Sequence, residues 1–199
     1  MSDPARLILA SKSASRRAML DAAGVAYDAV PADLDERGVE AGLAGVSPAE
    51  VVEALSVAKA AAVAALHPGA LVLGSDSLVV VGGRRFDKPR SVEEAAEHLR
   101  FFSGQVMELH SAAALVRDGG CEWSHASVAR LHVRALSEDF IAHYLNLEWP
   151  AISHTVGAFR IEGPGVQLFD SIEGDQFTVL GMPLLPLLGA LRESGVLLA

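Results

Sequence analysis

The sequence predicts a mixed α/β fold, and three observations carry that expectation. An apolar run, Leu7-Ile8-Leu9-Ala10, breaks abruptly into Ser11-Lys12-Ser13-Ala14-Ser15-Arg16-Arg17, as a buried strand does when it feeds the start of a helix. Ser47-Pro48-Ala49-Glu50 opens a second helix, and continuous apolar runs follow it at residues 70–74 and 78–81. Two longer strand-like stretches, Val106–Val116 and Glu122–Arg134, are joined by Asp118-Gly119-Gly120. Strands joined by so short a turn run antiparallel, so the sheet is expected to be mixed.

Each element has a local reason. Residues from about Ser13 to Ala23 read as helix, with Gly24 as the stop. Tyr27 to Val30 reads as a strand, ending in Pro31 and the acidic Asp33-Leu34-Asp35-Glu36. In the helix after Ser47, serine is the N-cap, proline takes the first turn and Glu50 completes a capping box. That helix is expected to reach about Leu66, where His67-Pro68-Gly69 ends it, and Lys59 lies four residues beyond Leu55 at the edge of its apolar stripe. Gly82-Gly83 supplies the positive φ of a tight turn. Ser91-Val92-Glu93-Glu94 starts another capped helix that ends near Ser103-Gly104. Arg130-Leu131-His132-Val133-Arg134 alternates as a half-buried strand does, and Ser137-Glu138-Asp139 begins a helix with acids in its first turn. The last third alternates short strand signals with glycine and closes in a helix over about Pro183–Ser194.

The chain has 199 residues, 51% hydrophobic and 21% charged, enough for one domain spanning 1–199 with a sizeable core. The balance of 16 basic and 25 acidic residues gives −9, which disfavours a nucleic-acid or anionic-membrane binder. A phosphate ligand would have to be held by a local group of cations. A single cysteine, Cys121, excludes an intramolecular disulfide and a Cys-rich zinc site, and reads as a small apolar residue. The N-terminal residues lack a signal-peptide pattern and no run of 18 apolar residues occurs, so a cytoplasmic globular protein is expected.

The junction at Ser11–Arg17 suits an anion: free N–H groups, the positive helix end, hydroxyls and guanidiniums come together there. Taken alone, a Ser-capped helix with two solvated arginines explains it more simply. Asp76, in Gly74-Ser75-Asp76-Ser77, is placed at the end of a buried strand, where a carboxylate can bind a metal or activate water; an Asx-turn explains it as well. Asp87-Lys88-Pro89 can aim an ammonium or be only a turn. Asp35 and Glu36 read as solvated loop acids, and Lys59 as a snorkelling lysine. The Walker loop, the dinucleotide fingerprint, H-E-x-x-H and G-x-S-x-G are all missing from the sequence. The seven histidines have no metal-ligand spacing, and His154 reads as a surface or structural residue.

Taken in order, these pieces resemble the Maf family of nucleoside triphosphate pyrophosphatases, nearest its 7-methyl-GTP branch, over nearly the whole chain. The family's A-S-x-S-P-R-R opening is matched by Ala10-Ser11-Lys12-Ser13-Ala14-Ser15-Arg16, its acidic turn by Leu34-Asp35-Glu36, and its helix lysine by Lys59-Ala60. Gly74-Ser75-Asp76-Ser77 matches G-[AS]-D-[TQ], Asp87-Lys88-Pro89 matches G-K-P, and Ser103-Gly104 matches the S-G after the next helix. Val156–Gly163 matches A-G-[AS]-[YF]-x-x-[QE]-G, and Gly181-Met182-Pro183-Leu184 matches G-x-P-L. Five positions depart from the pattern: Ala14 for proline, Ser15 for arginine or tryptophan, Ser77 for threonine or glutamine, Asp87 for glycine, and Met107 for histidine. Arg17 is the candidate to replace the lost arginine, and Asp87 brings a like charge toward the phosphates.

The resemblance implies an elongated, two-lobed mixed sheet flanked by helices, of the Maf/inosine-triphosphatase kind, with a nucleotide cleft. It implies Mg²⁺- or Mn²⁺-dependent hydrolysis of a nucleoside triphosphate to monophosphate and pyrophosphate, and it leaves room for a homodimer. Asp76 is then the general base; Ser11, Ser13, Arg16, Arg17, Lys59 and Lys88 bind phosphates; Glu36 and Asp76 hold the metal; Ser15, Ser77 and Glu162 set base specificity. Glu162 stands where the 7-methyl-GTP branch has glutamate, and a carboxylate accepts from both N1–H and N2–H of guanine. A low-turnover nucleotide sensor and a small phosphate-ester hydrolase are the rivals. The released product separates the three.

Overall fold

The computed structural model describes residues 6–43 and 45–198. The two ends of the expected 1–199 domain, and the first residues of the segment read for a signal peptide, lie outside the described residues. The sheet is mixed, with strand order β2-β1-β3-β5-β6-β7 and β4 paired to β3. Its strands are β1 (Leu7–Leu9), β2 (Asp28–Ala29), β3 (Leu71–Val81), β4 (Arg84–Phe86), β5 (Val106–Arg117), β6 (Gly120–Val133) and β7 (Phe169–Glu173). The helices are α1 (Ala14–Ala22), α2 (Glu36–Ala41), α3 (Pro48–Ala64), α4 (Val92–Phe102), α5 (Glu138–Glu148), α6 (Gln176–Val179) and α7 (Leu184–Glu193). None of the helices is long and apolar enough to cross a membrane, among the described residues.

The chain divides into two compact units. The first takes the chain up to Ser77, then Ser111–Ser127 and the chain from Leu180 on. Here β1 is parallel to both β2 (Ile8↔Asp28) and β3 (Leu7↔Leu71). Its core joins Ile8, Ala10 and Val72 of the sheet to Ala60, Val63 and Ala64 of α3. The capping box at Ser47 is present in full: Ser47 Oγ accepts from the Glu50 N–H, and Glu50 accepts from the Ser47 N–H at 2.8 Å.

α3 lies so close to β3 that a Cβ at Gly74 would overlap the Ser56 carbonyl oxygen and come within 2.8 Å of Ala60 N. This approach, open only to glycine, brings the α3 residue Lys59 beside Asp76.

The second unit holds Leu78–His110 and Val128–Val179. Gly82 (φ 57°) and Gly83 (φ 75°) turn β3 into the antiparallel β4, as expected. Phe86 of β4 meets Phe102 of α4 edge-on, at 4.8 Å between ring centroids, and α5 is capped by Ser137. β6 and β7 are antiparallel (Leu131↔Ile172).

Five expectations need correction. Asp76 is not at a strand end: β3 runs without a break from Leu71 to Val81, because the buried Ser75 and Asp76 find polar partners there, the Ala112 carbonyl and Lys59. Asp35 and Glu36 are not plain loop acids. Asp35 caps α2 by accepting from the Gly38 N–H at 3.1 Å, and Glu36 is the helix's first residue. The box at Ser91 is half formed, since Glu94 reaches the Arg90 N–H at 2.7 Å instead of the cap residue's. Residues 151–168 form short 3₁₀ turns in place of strands, and Cys121 is exposed.

Candidate active site

In the first unit the strand-to-helix junction is built as the sequence indicates. Ser13 is the N-cap of α1, accepting from the Arg16 N–H at 3.4 Å, and Ser11 Oγ accepts from the Ser13 N–H at 3.1 Å. The short hydroxyls thus organise the loop's own backbone. Ser11 is buried, and Ser15 is half-buried on the first turn of α1.

Arg16 is held on three sides. Its Nε donates to the Gly181 carbonyl at 2.9 Å, Nη2 to Ser77 Oγ at 2.9 Å and Nη1 to Ser11 Oγ at 3.4 Å. A guanidinium has five N–H donors, so these contacts occupy three of them. Burial lowers the pKa of Arg16, and the negative charges of Asp76 and Glu36 oppose that shift. Arg17 donates to the Ser11 carbonyl at 3.5 Å, while its Nε is buried without a hydrogen-bond partner.

The second constellation centres on Lys59. Its Nζ lies 2.5 Å from Asp76 Oδ1 and 3.1 Å from Glu36 Oε1. The Lys59 and Asp76 side chains are each 12% exposed, against 51% for Glu36. Lys59 is therefore a paired, nearly buried ammonium and not the snorkelling residue that its helix position suggested. Two carboxylates from α2 and β3 share one small volume with it. Hard oxygen donors of this kind suit Mg²⁺ or Mn²⁺, and Mg²⁺ ordinarily takes one or two carboxylates with water and substrate phosphates completing the shell. Among the described residues no group of three His, Cys, Asp or Glu is arranged for a metal, so phosphate oxygens would have to complete this one.

The first unit thus gathers Ser11, Ser13, Arg16, Arg17 and Ser77 into one network and Glu36, Lys59 and Asp76 into another. Lys88 and Glu162 belong to the second unit, both exposed, Lys88 in the loop after β4 and Glu162 in the turn 161–163. Asp87, in the loop after β4, lies 3.6 Å from Arg85 of that strand.

The Glu162 turn is anchored to α5. The Tyr144 hydroxyl donates to the Ala158 carbonyl at 3.1 Å, and Arg160 makes a two-pronged pair with the buried Glu148 at 2.8 and 2.9 Å. Burial, with the nearby Glu148 charge, raises the Tyr144 pKa, so the phenol stays a donor. Sequence reasoning did not find Tyr144, Glu148 or Arg160 as partners. It also gave no role to Ser75 or Ser111, which surround the Gly181 carbonyl and Ser77. The G-x-P-L motif was the one signal that pointed to Gly181.

A 7-methyl-GTP pyrophosphatase of Rhizobium etli is 50% identical over 194 residues, covering 96% of this chain and 98% of that protein. A nucleoside triphosphate pyrophosphatase of Rhodopseudomonas palustris (strain HaA2) is 47% identical, covering 98% and 96%. A solved HAM1 protein from Coxiella burnetii aligns at a TM-score of 0.41 and 15% identity, over 65% of this chain and 73% of that one. The family model described as Maf-like protein matches residues 6–194. The chain belongs to the Maf family.

Proposed function

We propose that this protein hydrolyses a nucleoside triphosphate between its α- and β-phosphates, releasing the monophosphate and pyrophosphate. The observation that carries the reading is the Lys59–Asp76–Glu36 cluster, whose two carboxylates act electrostatically on Arg16. One nearly buried carboxylate, one nearly buried ammonium and one anchored guanidinium are the parts that water attack on a phosphate needs. The family match over residues 6–194, and the pyrophosphatase names of relatives at 47–50% identity, support the same reading.

In this mechanism the triphosphate's oxygens take up donors of Arg16 and Lys59, with Ser11, Ser13 and Arg17 supporting the loop and Lys88 adding a further cation. As Lys59 turns to phosphate, Asp76 Oδ1 loses its partner and becomes the acceptor for the proton of the attacking water. Charge developing on the phosphoryl oxygens is met by groups already oriented, which is where most of the rate gain lies. A divalent cation held by Glu36 and Asp76 would neutralise phosphate charge and polarise the reacting phosphoryl group. Asp87, paired to Arg85 of β4, adds less repulsion than its position suggests.

For the base, Glu162 accepts from N1–H and N2–H of guanine, and its charge favours a cationic 7-methylated ring. Ser15 offers no stacking surface to that ring, so the preference rests on Glu162. One domain over residues 1–199 is part of this proposal. The test is a panel of 7-methyl-GTP, GTP, UTP and dTTP with Mg²⁺ or Mn²⁺, measuring released pyrophosphate. Pyrophosphate with the matching monophosphate is expected; inorganic phosphate alone, or no product, rejects the reading.

A further inference from the structure

We infer that Ser77 acts on the reaction through Arg16, as a positioning residue anchored on the Gly181 carbonyl, and does not read the base. The inference rests on the phosphate role proposed for Arg16. Three groups close a ring of hydrogen bonds: Arg16 Nη2 to Ser77 Oγ at 2.9 Å, Ser77 Oγ to the Gly181 carbonyl at 3.0 Å, and Arg16 Nε to the same carbonyl at 2.9 Å.

Counting hydrogen-bond capacity decides the role. A hydroxyl has one proton to donate and two lone pairs. The proton of Ser77 goes to Gly181, one lone pair takes Arg16 Nη2–H, and the other takes the Ser111 hydroxyl at 3.1 Å. No capacity remains for a base edge. The Gly181 carbonyl is likewise filled by Arg16 and Ser77, and the Ser75 hydroxyl approaches at 3.2 Å while giving its better bond, 2.7 Å, to the Ala112 carbonyl.

The glycine is required for this ring. Gly181 has φ +100°, in the region that side chains rarely adopt, and a Cβ there would stand 3.1 Å from Ser77 Oγ and 3.8 Å from Arg16 Nη2. The carbonyl thus fixes the guanidinium in two places, through Nε directly and through Nη2 by way of Ser77. A planar fork held at both points has little rotamer freedom left, so its two remaining N–H donors are offered to an anion at low entropic cost.

A double-mutant cycle tests this, using Ser77→Ala, Arg16→Ala and the combination. Each is assayed for kcat and KM on GTP and UTP, and for binding of inorganic pyrophosphate by calorimetry. Ser77→Ala is expected to lower kcat/KM and pyrophosphate affinity by about tenfold to hundredfold, the scale of a hydrogen bond to a charged group, and by the same factor for both bases. In the Arg16→Ala background the same change should have almost no further effect. Ser77→Thr, which keeps the hydroxyl, should restore the loss; if the alanine variant fails to fold, Ser77→Cys replaces it in the cycle. A change in the GTP-to-UTP ratio, an undiminished loss in the Arg16→Ala background, or no loss at all overturns the inference. If the wild type released no pyrophosphate from any triphosphate, the proposed function would fall, whereas the calorimetric cycle would still decide the role of Ser77.

Discussion

Lys59 and Asp76 form an ion pair at 2.5 Å, from α3 and β3, with each side chain only 12% exposed. Breaking so close a pair from one side leaves a largely buried charge uncompensated, which costs more than losing a surface bridge. In the proposed mechanism the pair keeps the base and a phosphate cation together until substrate separates them. Asp76→Asn keeps the shape and removes the proposed base. Its kcat is expected to fall about 10²–10⁴-fold, the usual contribution of a general base. Near-normal turnover in a folded Asp76→Asn protein would remove Asp76 from the mechanism.

Lys59→Ala leaves Asp76 and Glu36 facing each other without the ammonium. Stability should drop by about 3–5 kcal/mol, the cost of breaking a largely buried pair from one side. Millimolar Mg²⁺ should recover part of that loss, because a cation can occupy the place of the ammonium between the two carboxylates. Thermal melts with and without Mg²⁺ check this directly. A Tm unmoved by Mg²⁺ would speak against these carboxylates as the metal pair.

Arg16 and Arg17 differ in their anchoring, so their alanine variants should differ as well. Arg16→Ala is expected to lower kcat about 10²–10³-fold, as loss of an oriented donor to developing charge does. Arg17, with one long bond to the Ser11 carbonyl and a buried Nε without a partner, should cost less and act mainly on KM. Steady-state kinetics on both variants separates the two patterns. A silent Arg17→Ala would end the idea that Arg17 replaces the arginine missing at Ser15.

Glu162→Gln exchanges an acceptor-only group for one donor and one acceptor, which suits uracil or thymine better than guanine. The ratio of kcat/KM for 7-methyl-GTP to that for UTP should fall by about tenfold or more, the value of one mismatched hydrogen bond at a polar site. Because Tyr144 and the Glu148–Arg160 pair hold the segment around this turn, the variant should keep its melting temperature. An unchanged ratio would show that Glu162 does not contact the base.

His110 sets a pH dependence of stability. Burial depresses its pKa below 6.5; Glu108 opposes that shift, and Arg130 adds to it. Neither ring nitrogen has a hydrogen bond, and the Glu108 carboxylate stands 3.6 Å from Nε2. Above 6.5 the ring is neutral in both states and contributes no slope. Below it the unfolded chain takes up a proton that the folded chain refuses, so stability falls as pH falls toward the folded value. His98 is depressed in the same direction by burial against Phe86 and Phe102, with Glu94, Glu97 and Asp87 opposing and Arg84 adding to the effect. Urea melts between about pH 7.5 and pH 5 should lose stability in the wild type and lose less in His110→Leu. Equal slopes would exclude His110 as a source.

The sequence by itself determined what depends on neighbours within a few residues. Ser13, Ser47 and Ser137 cap helices because a short hydroxyl reaches the N–H groups of the next turn wherever the chain goes afterwards. Gly82-Gly83 and Asp118-Gly119 turn because their positive φ is a local property. The motifs taken in order also pointed to the right family, as the match over 6–194 bears out. Tertiary structure alone decided what those residues touch. Asp76 looked like the end of a strand because a small polar stretch interrupts two apolar runs. It lies inside β3 because α3 and the 111–127 segment of the same unit give Ser75 and Asp76 polar partners that no local pattern records. Arg16 and Gly181 are 165 residues apart in sequence, and the lysine partner of Asp76 comes from another element. Periodicity reports which side of a helix is apolar, but a hydrogen bond between distant segments has no period, and only the packed chain specifies it.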